Sequence, residues 1–176
     1  DSRFNKINYV DAPSIGFNGQ EKLGSARGYI WSRSLPVALE CLFIGKGPDT
    51  FILNFPQGDL LGKWYAYGTP WMTVDKPHNL YLQIWISQGA IALVAFLALT
   101  LGYLVVSFKR YASRTDYTSA EIIGAALTVA VAGYLGAGIF NDSIVSVAPI
   151  FWVLLGVGIA VNRVVGKQQI KQNTEH

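Results

Sequence analysis

Two arginines and a histidine have the side chains of this 176-residue chain best suited to carry a reaction. Arg27 and Arg33 present planar guanidinium groups suited to bidentate capture of phosphate or pyrophosphate oxygens. His78, the one histidine besides the terminal His176, can accept a proton near neutral pH, as a general base must. Asp49, Asp59 and Asp75 supply carboxylates that can orient an imidazole or bind a metal. The spacing argues against other chemistries. One usable His, the single Cys41 and scattered carboxylates form no metal-ligand pattern, so no metal is expected. Gly45-Lys46-Gly47 lacks the longer Gly-x-x-x-x-Gly-Lys-Ser/Thr spacing of a phosphate loop, and a turn accounts for its glycines. Plainer roles stay open for each residue. The arginines can snorkel to lipid headgroups or pair with nearby Asp and Glu, and His78 can be a polar tip where a helix starts. Trp64, Tyr65, Tyr67 and Trp71 suit either stacking on sugar rings or an interfacial aromatic belt.

These residues need elements to position them. Residues 26–44 (ARGYIWSRSLPVALECLFI) place Trp31, Leu35, Leu39 and Leu42 on one helical face, with Ser25 able to cap the start. Pro36 is expected to kink this helix or to open a second one. Six residues turn a helix through about 600°, so Arg27 and Arg33 point about 120° apart and need not address one ligand. Arg27 lies four residues before Trp31, on the apolar side, where an inward arginine requires an anion. Residues 45–49 read as a turn, and 56–77, rich in Gly, Pro and aromatics, as a loop lying on other structure. Helical character resumes at 78–87.

The composition is 51% hydrophobic and only 14% charged, against about 25% charged for an ordinary soluble domain. The apolar residues are gathered into runs. Residues 89–108, 122–140 and 144–162 are uncharged stretches, each close to the roughly twenty residues that span about 30 Å of hydrocarbon, and Pro149 interrupts only the last. Lys109, Arg110 and Arg114 follow the first run, and Arg163, Lys167 and Lys171 the third, whereas Asn141, Asp142 and Ser143 between the second and third carry no basic residue. The positive-inside rule then assigns 109–121 and 163–176 to the cytoplasm and 1–88 to the outside. A net charge of +3 is thereby explained by topology rather than by nucleic acid, and no nucleic-acid partner is expected. The expected fold is an all-α membrane protein. Three C-terminal transmembrane helices follow an extracytoplasmic loop region with short amphipathic helices. The chain opens at Asp1 without a signal segment, which leads us to expect earlier membrane spans that precede it in a larger polytopic protein.

Three segments in order, SARGYIWSRSLP (25–36), GKGPDTFILNFPQGD (45–59) and VDKPHNLYLQIWISQGAIAL (74–93), resemble the C-terminal half of the O-antigen ligase and O-antigen polymerase superfamily, and look most like its Gram-positive members. The resemblance implies a glycosyltransferase at the outer face of the cytoplasmic membrane that works without metal, nucleotide or other cofactor. Its donor would be a polyprenyl pyrophosphate-linked glycan, its acceptor a glycan or lipid hydroxyl, and its surroundings membrane lipid and the earlier helices of the same protein. Carried onto this chain, it implies that Arg27 holds the donor pyrophosphate and that His78 acts as base or assists the pyrophosphate. Asn79 shares the motif and orients the helix start, while Arg33 is at most an auxiliary phosphate contact. Without the family's earlier spans, the chain is expected to be inactive alone. The competing expectation is a non-catalytic membrane scaffold or transporter subunit with an external contact loop.

Overall fold

A computed structural model describes residues 12–112 and 117–174, so Arg114 of the basic connector and the first eleven residues lie outside the described residues. Among the described residues seven helices form and no strand, in two compact units, Asp1–Leu93 and Val94–His176.

In the first unit α1 (Leu23–Leu39) is the central element. Its regular part begins only at Arg27, because Gly24, Ser25 and Ala26 all have positive φ. Ser25 at φ 60° is therefore part of a left-handed turn and does not cap the helix as expected. Pro36 neither stops the helix nor opens another. It lacks the N–H that would bond the Ser32 carbonyl, and the Ile15 N–H takes that acceptor instead, at 2.9 Å. The segment before α1 thus runs along the helix, and Gly28 faces the Gln20 carbonyl so closely that no Cβ would fit. Of the expected apolar stripe, Trp31 and Leu35 pack against the core, while Leu39, the last residue of the helix, and Leu42, beyond its end, are exposed.

Three short helices complete the unit: α2 (Phe51–Asn54), α3 (Leu60–Tyr67) and α4 (Leu80–Gln88). Tyr29, Ile30, Phe51, Phe55, Val74 and Ile86 are buried together, so 56–77 contributes to a packed core where a loop resting on other structure was expected. Within that stretch α3 forms because Asp59 caps it, accepting from the Gly62 N–H at 2.9 Å, and Gly68 in the left-handed region ends it. The turn at 45–49 has a structural task. The N–H groups of Lys46 and Gly47 reach the Ile86 and Ser87 carbonyls at 2.7 and 3.1 Å, satisfying acceptors left over at the C-terminal end of α4.

Gly89, at φ 101°, breaks the chain between α4 and α5 (Ala90–Tyr111), and the Ala90 N–H bonds the Cys41 carbonyl. α5, α6 (Ser119–Ala137) and α7 (Ala148–Thr174) are long and apolar enough to cross a membrane. α6 starts at a capping box in which Thr118 and Glu121 satisfy each other's backbone N–H groups. Helix α7 begins at Ala148, later than the apolar run, since proline fits a first turn whose N–H groups have no partner anyway. In the second unit Tyr134 stacks on Phe151 at 4.1 Å between centroids. Glycines admit aromatic rings: Gly124 faces Tyr111 and Gly158 faces Tyr103.

Candidate functional site

Arg27 leaves the left-handed turn directly at the start of the regular helix. Two non-glycine residues in that region, Ser25 and Ala26, cost roughly 1–2 kcal/mol each, which the surrounding packing must offset. The Arg27 side chain is half-buried, and its Nη1 donates to the Gly24 carbonyl at 2.7 Å, holding the guanidinium against its own turn. One helical turn further on, the Trp31 indole N–H donates to the Pro77 carbonyl at 3.0 Å, across 46 residues. Pro77 is fully covered and immediately precedes His78. His78, half-buried, is itself left-handed at φ 47°, and Asn79 then caps α4 by accepting from the Leu82 N–H at 2.9 Å. The segment leading into α4 is therefore tied to α1 at Trp31, one turn after Arg27.

Tyr67, at the end of α3, completes this region. Burial raises the pKa of its phenol, the Arg27 charge opposes that rise, and Asp75 adds to it. Arg27 and Asp75 thus act on the Tyr67 phenol with opposite sign, and its ring meets Tyr29 edge-on at 5.9 Å.

Arg33 belongs to a different place. Its Nε donates to Asp59 Oδ2 at 3.0 Å, one Nη1 N–H reaches Ser32 Oγ at 3.0 Å, and its guanidinium lies 4.9 Å from the Tyr29 ring centroid. Arg33 and Asp59 line a cleft of about 870 Å³ together with Lys22, Glu21 and the exposed Tyr65. Arg27, His78 and Asn79 do not line it. The two arginines thus have different partners, the Gly24 carbonyl for Arg27 and the Asp59 carboxylate for Arg33.

Two residues of this unit went unremarked in the sequence. Tyr29 is buried, and burial together with the neighbouring Asp59 carboxylate pushes its phenol well above the ordinary tyrosine range. Lys63 is buried with its ammonium on Gln57, donating to the backbone carbonyl at 2.8 Å and to Oε1 at 3.0 Å. Burial lowers its pKa, partly opposed by Asp59. The one signal for Lys63 was its position four residues after Asp59. Nothing in the sequence marked its burial. Of the four aromatics read as stacking or belt residues, Trp64, Tyr65 and Trp71 are exposed and Tyr67 is packed. Among the described residues no group of three or more His, Cys, Asp or Glu could hold a metal ion.

The family model described as O-antigen ligase matches residues 2–97, which include Arg27, Arg33, His78 and Asn79. Neither the curated proteins nor the solved structures contain a match to the chain.

Proposed function

The chain belongs to the O-antigen ligase family, and from that premise we propose that it is part of a transferase that moves or polymerises polyprenyl pyrophosphate-linked glycans on the outer face of the cytoplasmic membrane. In this reading the acceptor hydroxyl oxygen attacks the anomeric carbon of the donor glycan. The bond from that carbon to the pyrophosphate oxygen breaks, and the hydroxyl proton passes to the His78 imidazole. Arg27 holds the departing polyprenyl pyrophosphate, whose growing negative charge a fixed cation stabilises most at the transition state.

What supports the pairing is the Trp31 bond to Pro77, which ties α1 one turn after Arg27 to the residue that precedes His78. His78 is itself left-handed and Arg27 directly follows the left-handed Ser25 and Ala26, the kind of backbone outlier that persists where function or packing demands it. Asn79 acts through the helix start, since its side-chain oxygen is occupied by the cap. Arg33 retains three of its five N–H donors for an auxiliary contact within the cleft, where Tyr65 offers an exposed ring to a sugar. The chain's own cations take the part that a metal plays in other transferases.

The test is reconstitution of the full-length protein in vesicles with a polyprenyl pyrophosphate-linked glycan and an acceptor. Transfer with release of polyprenyl pyrophosphate is expected. Consumption of neither substrate by correctly inserted protein would leave the scaffold reading.

A further inference from the structure

The second unit holds a groove of about 660 Å³ between α5 and α7. One stretch of its wall is apolar, with Ala98, Leu99, Gly102 and Val106 from α5 and Ile159 from α7. Its other end is cationic, lined by Arg110, Arg163 and Lys167, and no acidic residue lines it among the described residues. Arg163 and Lys167 are one turn apart on the same face of α7. Arg110 reaches them from α5 across Gly166, where an added Cβ would come within 2.8 Å of its Nη2. Beneath this end the buried Asn162 is held between two α5 residues, accepting from the Tyr111 hydroxyl at 2.6 Å and donating to Ser107 Oγ at 2.7 Å. The cations therefore stand on a fixed floor.

We propose that this groove is a binding site for one anionic glycerophospholipid, its headgroup phosphate among Arg110, Arg163 and Lys167 and an acyl chain along the apolar wall. Dimensions and charge both favour this occupant. From Ala98 to Arg110 the helix rises about 18 Å, close to the roughly 15 Å depth of one leaflet's hydrocarbon. A protein helix would meet three cations with no carboxylate of the groove to balance them, whereas a lipid phosphate supplies the charge at the depth where they lie. Gly102 leaves the space open, since an added Cβ there meets nothing within 4 Å. The inference is independent of the transferase reading and uses none of its residues.

The experiment places the full-length protein in phosphatidylcholine nanodiscs with acyl-chain spin-labelled phosphatidylglycerol or phosphatidylcholine, and measures the motionally restricted fraction. Phosphatidylglycerol should be retained at least about fivefold over phosphatidylcholine. That preference should fall to near one in the triple variant Arg110→Gln, Arg163→Gln, Lys167→Gln. Gly102→Phe, which fills the groove and keeps every cation, should also abolish it, with Gly102→Leu as the substitute if the larger side chain prevents insertion. Equal retention of the two lipids would overturn the proposal. So would a preference that survives Gly102→Phe, which marks general surface attraction, or a disulfide formed readily between Gly102→Cys and a cysteine on another helix, which marks a groove filled by protein.

Discussion

Arg33 and Asp59, separated by 26 residues, are joined at 3.0 Å, and the second Asp59 oxygen caps α3. Asp59 is 4% exposed and the Arg33 side chain 13%. One carboxylate thus fixes the guanidinium on α1 and the first turn of α3 at once. Gly62 is small because a Cβ there would collide with Asp59 and Tyr29. The expected auxiliary phosphate contact is therefore also a structural tie.

Asp59→Ala removes the cap and leaves the Arg33 guanidinium without its counter-ion, and should destabilise the first unit by about 3–5 kcal/mol. Asp59→Asn retains an acceptor for the Gly62 N–H and should cost less. Thermal unfolding of both variants in the same detergent checks the order, and equal losses would contradict the double role.

The turn at 45–49 yields a second prediction. At Gly45 a Cβ would strike the backbone of Ser87, which no rotamer change relieves, whereas at Gly58 it meets nothing within 4 Å. Gly45→Ala should lower stability by about 2 kcal/mol or more. Gly58→Ala should stay within about 0.5 kcal/mol of the parent, so similar unfolding temperatures would count against the packing described.

Tyr29 sets a pH dependence whose sign follows from its raised phenol. The unfolded chain releases this proton near the ordinary value of 10.0, while the fold holds the phenol neutral to higher pH. Its contribution is complete below that value and is lost as pH rises beyond it. Between about pH 9 and about pH 11 the parent should lose about 1 kcal/mol more stability than Tyr29→Phe. Parallel stability curves would show that Tyr29 titrates alike in both states.

Legibility differed between the two units for a physical reason. Membrane helices must bond their own backbone within hydrocarbon, so uninterrupted apolar length revealed α5, α6 and α7. Their ends follow local signals rather than apolar length, such as Pro149 and the Thr118 capping box at the starts, and α7 runs on to Thr174. The first unit is built from close approaches between distant segments. Gly28 on Gln20, Gly45 on Ser87 and Trp31 on Pro77 leave no periodic trace in the sequence. Hence the packed role of 56–77 came to light only in the fold, as did Asp59 as the partner of Arg33. The turn chemistry at 45–49 follows from local rules and was readable beforehand.

The proposed orientation can be checked between α6 and α7. Ser143 is hydrogen-bonded to the Tyr134 hydroxyl, so Val145, 91% exposed, is the better site for a probe. Cys41 is buried and bonded to the Val37 carbonyl, which should keep it silent. Val145→Cys should react with an impermeant maleimide added to intact cells. Labelling that needs lysis would reverse the topology.

The central claim is that Arg27 and His78 carry glycan transfer, and the most direct measurement is surface polymer in cells expressing the full-length protein with either residue replaced. Arg27→Ala removes the cation, and His78→Gly removes the imidazole while relieving its left-handed backbone. Both variants should insert at normal levels and lose surface polymer at least about a hundredfold, the loss expected when a general base (His78) or a fixed group that stabilises transition-state charge (Arg27) is removed. Normal polymer in either variant would contradict the account.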